Sequence, residues 1–409
     1  MNPLSNSAPH SESHSFITLL LFWCGLVLLS SMYVTLPLTT LFMDSFGITS
    51  AQAAWIGSSF SLCYALGCLL YGPFSDKYGR KVFLAGSISL LSVITISIGF
   101  VESFHVLLVL RGLQGLVAAA FAPISLVYAG ELFPPHKRLT AIGFISSGFL
   151  MASIIGQVFS GTVSEAFGWQ AIFFILGAVY LITAIAVIFR LPKEQTPRSA
   201  ESILRKFGNM TGLLRNTQLL LAFSITFVLL LSLVGMYTVL GNYLGSARFG
   251  LQSGEILAVR GAGILGMLFS PFAGQIAQKI GRGTVLKGGL AMAAAGLLAT
   301  GFSPTLPILV MSTVVFVAGI ALVTPVVISL VSQLAGNARG SAVSFNAFVL
   351  FLGASAGPGL VMGFSKTAQY VLALDLLSAV MVIALLVSLF IKTEAQAPIE
   401  AAAKQQISQ

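Results

Sequence analysis

Apolar residues run almost unbroken for stretches of about twenty positions, and short polar or glycine-rich segments separate one stretch from the next. A helix rises about 1.5 Å per residue, so a run of about twenty crosses the roughly 30 Å hydrocarbon core of a bilayer. Twelve such runs are predicted, at 16–42, 52–71, 82–101, 104–129, 139–163, 169–190, 217–244, 255–277, 284–303, 306–331, 341–365 and 369–391. They lack the alternation of barrel strands, so helices are expected, each satisfying its own backbone hydrogen bonds. The expected fold class is an all-α membrane protein with twelve transmembrane helices. One long polar interval, 191–216, divides the chain into two halves of six spans. Within it Ile203, Leu204, Phe207, Leu213 and Leu214 recur beside Arg205, Lys206 and Arg215. That spacing fits either a short amphipathic helix on the membrane face or a solvated linker. The expected units are an N-terminal tail (1–15), a first half (16–190), the linker (191–216), a second half (217–391) and a C-terminal tail (392–409).

Composition narrows the class. Only 8% of the 409 residues are charged and 56% are hydrophobic, where a soluble domain has about a quarter charged. A soluble enzyme, a secreted disulfide scaffold and a disordered chain are excluded. Cys24, Cys63 and Cys68 sit in apolar runs and read as packing residues. The first fifteen residues carry no Lys or Arg, so a signal-peptide head is not expected there. The net charge of +9 is an orientation signal rather than a nucleic-acid footprint. With the N-terminus inside, Lys and Arg fall on the cytoplasmic side except Arg248 and Lys366 outside and Arg111 and Arg260 within spans. With an even number of spans, both termini are expected in the cytoplasm, and a multi-pass protein of the plasma (bacterial inner) membrane is the expected location.

The halves repeat each other. Gly72-Pro-Phe-Ser-Asp76-Lys77-Tyr78-Gly79-Arg80-Lys81 after span two reappears as Gly274-Gln-Ile-Ala-Gln278-Lys279-Ile280-Gly281-Arg282-Gly283 after span eight. Pro123 matches Pro325, Met32-Tyr33 match Met236-Tyr237, and Gly156 matches Gly357, all at nearly the same offset. Duplicated halves place a ligand site at their interface near mid-membrane. In the loop itself a tight turn wants glycine, here Gly72 and Gly79. Asp76 and Arg80, four apart, can pair.

This loop resembles the signature loop of the major facilitator superfamily, at its expected place between spans two and three. Span four, with Arg111, Gln114 and Gly115, resembles a second motif of that superfamily, found in its twelve-span drug/proton antiporters. The resemblance covers the whole chain and implies two pseudo-symmetric six-helix halves that rock about a central site bounded by spans one, four, seven and ten. It implies that Asp76, Arg80 and Lys81 latch the halves on the cytoplasmic side, with Gly274, Gly281 and Arg282 as the second-half copy. It also implies a role for Arg111 in proton coupling or in holding an anionic group; the alternative is an interhelix hydrogen-bond anchor. The chain departs from the antiporter pattern in two places. Span one carries no acid, and span five reads Gly148, Gly156-Gln157 and Gly161 without the expected Gly-Pro, whereas span eleven keeps Gly357-Pro358. Those glycines are expected to let spans five and eleven pack closely.

Charges inside a bilayer are expensive, about 2.5–3.5 kcal/mol on insertion scales. Besides Arg111, Arg260 and Asp375 lie at depth; each is either functional or structurally paired, and Asp375 is the one evident carboxyl proton carrier there. Polar residues expected to face the cavity are Tyr33, Thr35 and Thr39 on span one, Gln114 and Tyr128 on span four, Tyr237 and Asn242 on span seven, and Asn346 on span eleven. Pro37, Pro123, Pro271, Pro325 and Pro358 are positions where spans can kink. Gly261-Ala-Gly263-Ile-Leu-Gly266 matches a dinucleotide pattern but lies inside span eight with no strand before it. No nucleophile–base pair, phosphate loop or metal spacing appears, so no enzyme, cofactor or metal site is expected. The expected function is secondary active transport of a small organic molecule, with proton-coupled export by a monomer as the leading form. The alternative is a symporter or facilitator taking up a small solute, anionic if the intramembrane arginines hold it.

Overall fold

In a computed structural model, residues 10–193, 212–366 and 369–392 are described. Twelve helical spans cover them: one His14–Phe46, two Gln52–Tyr78, three Arg80–Ile98, four Phe104–Leu132, five Pro135–Phe167, six Trp169–Arg190, seven Thr217–Gly245, eight Gly254–Ile280, nine Arg282–Gly301, ten Leu306–Leu334, eleven Arg339–Val361 and twelve Tyr370–Ser388. No strand occurs among the described residues. The first helix begins at His10, inside the stretch expected to be a polar tail, because a helix can extend past the apolar run into the headgroup layer. The expected amphipathic helix of the linker falls almost wholly on residues 194–211, outside those described.

Helix starts follow local chemistry. Thr49 and Gln52 form a capping box before span two, and the Asn216 side chain accepts from the Gln218 and Leu219 amides at the start of span seven. Spans one, four and eight are interrupted at residues just ahead of Pro37, Pro123 and Pro271. Proline lacks the amide proton and its ring crowds the carbonyl one turn back. Spans ten and eleven, in contrast, run through Pro325 and Pro358 without interruption.

Within the first half, spans one and five, two and four, and three and six pack together. In the second half the same pairs recur as seven and eleven, eight and ten, and nine and twelve. Between halves, span two meets span eleven and span five meets span eight. The repeated loop has one geometry in both copies: Gly79 has φ 105° and Gly281 φ 84°. Each ends one span and opens the next, with its amide donating to Ser75 or Ala277. L-residues with a side chain rarely adopt that backbone.

Gly79→Ala and Gly281→Ala are each expected to cost about 1–3 kcal/mol, the usual strain of a side chain held in that region. The midpoint of thermal unfolding in detergent checks this; an unchanged midpoint for both would show that the turns relax freely.

Candidate functional site

The seam at the face carrying the repeated loops is built from small residues and one ionic cluster. A side chain at Gly72 would collide with Ser344 and the Gly340 carbonyl of span eleven, so the backbones of spans two and eleven touch there. The Asp76 carboxylate lies against Gly340, in the first turn of span eleven, where unpaired amides and the helix dipole favour negative charge. Arg80 Nη1 is 2.9 Å from Asp76 Oδ1, and its Nε and Nη2 each bind the Glu131 carboxylate at 2.6 Å. This fork-to-fork pair ties the start of span three to the end of span four. Lys81 follows, half-buried. Glu131 stands at the end of an apolar run, where nothing in the local sequence points to its partner.

The second copy lacks the acid. Gln278 stands where Asp76 does in the first half, and its side-chain amide donates to the His136 carbonyl at the start of span five. Gly274 packs on Thr140 and Gly143 on Ser270, so spans five and eight also close backbone to backbone. Arg282 is half-buried, and no ion pair to it is found among the described residues.

Arg111 is fully buried, inside the first half. Because span one breaks after Tyr33, carbonyls of its last turn lose their helical donors. Both terminal nitrogens of Arg111 donate to the Ser31 carbonyl at 3.1 Å, Nε donates to Ile56, and the guanidinium lies 4.5 Å from the Phe60 ring centre. Gln114 accepts from Arg111 and donates to Thr95 at 2.7 Å. Ser160 of span five takes up the Val34 carbonyl at the same break. Gly115 lets span four press against the Phe60 backbone. Arg111 and Gln114 therefore join spans one to four and do not line the central cavity.

That cavity is narrow in this state, about 40 Å³, and lies between the halves. Spans one, four and five line it on one side with Leu29, Tyr33, Ala122, Leu126, Ser146, Phe149, Leu150 and Ser153. Spans seven, ten and eleven line the other with Leu230, Leu233, Thr324, Ile328, Asn346, Ala347, Leu350 and Phe351. Spans five and eleven thus join the four expected ones. No lining residue is charged. Asn346 accepts from Thr226 at 2.7 Å, and the Ser146 hydroxyl is buried without a partner.

Of the expected lining residues, Tyr33 and Asn346 face the cavity. Thr35 is buried at the break of span one, facing Gly57 of span two. Thr39 and Asn242 lie toward the far ends of their spans, half-buried and exposed. The Tyr128 hydroxyl donates to the Pro192 carbonyl at 2.8 Å, away from the cavity. Tyr237 is turned toward Gly263 of span eight. The missed lining residues are mostly Leu, Phe and Ser, which carry no signal in a sequence rich in all three.

The glycine expectation needs correction. Gly148 and Gly156 seat span five on Phe22 and Ser30 of span one, and Gly357 seats span eleven on Leu231 of span seven. These close contacts lie within halves rather than between spans five and eleven, because each glycine faces its own half's partner. Gly161 faces open space. Pro358, next to Gly357, is half-buried.

Arg260 of span eight reaches across the halves on the side away from the latch. It donates to Gln157 of span five at 3.3 Å and to the Tyr237 carbonyl at 2.9 Å. Its Nε is buried without a partner, and no carboxylate pairs with it among the described residues. Asp375 lies against Gly301 between spans nine and twelve, with Oδ1 buried and unpartnered, and is not among the residues that line the cavity.

The family model for the Major Facilitator Superfamily matches residues 21–358 and 249–408. An uncharacterized MFS-type transporter, YybF, of Bacillus subtilis is 29% identical over 69% of this chain and 70% of its own length. Multidrug resistance protein MdtG of an Escherichia coli strain is 24% identical over 90% of this chain and 92% of its own. The solved structure of the Major Facilitator Superfamily transporter FucP, in an outward conformation, superposes with a TM-score of 0.76 at 15% identity, covering 93% of this chain and 100% of that one.

Arg111→Lys keeps the charge but loses the fork, and is expected to lower stability by about 1.5–3 kcal/mol, the worth of a charged hydrogen bond. Thermal unfolding in detergent reads the loss, and substrate affinity of the folded fraction is expected to stay near wild type. A selective loss of affinity at normal stability would place Arg111 in the binding site instead.

Proposed function

This chain belongs to the Major Facilitator Superfamily, and we propose that within it the protein exports small amphipathic organic molecules in exchange for protons. The observation that carries this reading is the central cavity. Leucine and phenylalanine walls with a few neutral hydrogen-bonding groups suit an apolar body with scattered polar atoms. Likeness to a protein named for multidrug resistance supports the same reading.

Transport is a secondary process, with both termini and the latch on the cytoplasmic side of the inner membrane. Each half moves as a body, since within-half contacts are backbone-close and the span-one break is stapled by Arg111. In the present state both seams on the latch face are shut, and Arg260–Gln157 is the contact to part on the other side. Rocking exchanges the two closures. No acid lines the cavity, so proton coupling is read at the latch: neutralising Asp76 removes the charge held against the start of span eleven and loosens the seam.

A second reading, transport of a small organic anion, is favoured by Arg260. Its half-buried guanidinium, with no carboxylate partner among the described residues and a hydrogen bond to Gln157, has attraction to spare for a substrate's negative group. Ser153 and Leu233, one turn before Gln157 and Tyr237, both line the cavity.

Purified protein in proteoliposomes with an imposed pH gradient tests both readings against amphipathic cations, neutral compounds and anions. Proton exchange with an apolar dye is expected, and Phe149→Ala should raise KM about tenfold through ~1.4 kcal/mol of lost burial. Asp76→Asn should slow transport and blunt its pH dependence while leaving folding intact. Absence of proton movement with every compound would remove the exchange mechanism. Transport confined to anions, and lost on Arg260→Gln, would establish the second reading.

A further inference from the structure

On the latch face, a groove of about 540 Å³ runs between the start of span one, the start of span five and the end of span eight. Its rim carries His14, His136, Lys137, Thr140, Gln275 and Gln278, and none of the described residues lining it is acidic. Its deeper wall is apolar and open: Leu19 is 61% exposed and Phe144 39%. At 1.5 Å per residue, those two lie about 7–10 Å further into the membrane than His14 and Lys137. Cationic and amide groups at headgroup depth above exposed apolar side chains match one class of molecule at both ends.

We propose that this groove binds an anionic phospholipid from the leaflet on the latch face, its phosphate between Lys137, His136 and the Gln275–Gln278 amides and an acyl chain along Leu19 and Phe144. A soluble anion would leave Leu19 and Phe144 unused. A zwitterionic headgroup would bring an ammonium to a rim that offers it no carboxylate. Basic pockets between spans at the membrane surface attract anionic headgroups for this reason. The groove also crosses the boundary between halves. Lys137 and His136 belong to the first half and Gln275 and Gln278 to the second, joined there by the Gln278–His136 hydrogen bond and the Gly274–Thr140 contact. A bound headgroup therefore fastens the five–eight seam, where no ion pair is found among the described residues, and favours the state closed at this face.

Native mass spectrometry of the intact protein, exchanged into mixed micelles with phosphatidylglycerol or phosphatidylcholine, tests the proposal without any variant. Phosphatidylglycerol is expected to be retained more strongly, by about fivefold for each full positive charge at the rim. The His136→Ala/Lys137→Ala double variant should lose that preference, and Lys137→Arg should keep it. Phosphatidylglycerol should also raise the thermal midpoint of the wild type more than of the double variant. Equal retention of the two lipids by the wild type would overturn the proposal. So would a preference untouched in a folded double variant, or displacement of the lipid by excess glycerol phosphate, which would identify a soluble anion as the ligand.

Discussion

A break in a transmembrane helix frees carbonyl groups where no water is available to receive them. Span one breaks after Tyr33, and Arg111 and Ser160, from spans four and five, reach the freed Ser31 and Val34 carbonyls. Arg111 is costly to bury, and its bonds to Ser31, Ile56 and Gln114 together with the Phe60 ring offset that cost. The same bonds gather spans one to four into a single body. A half that holds together in this way can turn as a unit against the other, which is what an interface-centred cavity requires.

The two halves share a backbone plan but differ in charge at the latch. In the first copy Asp76, Arg80 and Glu131 form a compact ionic cluster beside the opening turn of span eleven. In the second, Gln278 replaces the acid and makes a neutral hydrogen bond to span five. One seam thus holds an ion-pair cluster, while a side-chain amide bridges the other. The second seam is also the one flanked by the basic groove.

Much of the fold was legible because bilayer physics leaves few choices. Twelve long apolar runs had to be helices, and the doubled Gly79 and Gly281 turns marked where each half repeats. The site was less legible. Tyr33 and Asn346 were found because polar groups in apolar runs stand out, but Thr35 and Gln114 stand out equally and face helix neighbours instead. Phe149, Leu233 and Leu350 line the cavity yet look like every other apolar residue. Glu131 gives no local signal, because its partner, Arg80, is fifty-one positions away in sequence, a separation that local pairing does not reveal.

The sequence alone determined the solvent, the number and kind of spans, the internal repeat and the positions of the few charges. Each follows from composition and spacing, and a bilayer enforces each one residue by residue. The tertiary structure decided which face every helix turns inward. That settled that Arg111 staples a half, that Gly148 and Gly357 pack within halves, and that span five shares the cavity. In an almost uniformly apolar chain the lipid-facing and cavity-facing sides of a helix look alike, and only contacts between distant segments tell them apart.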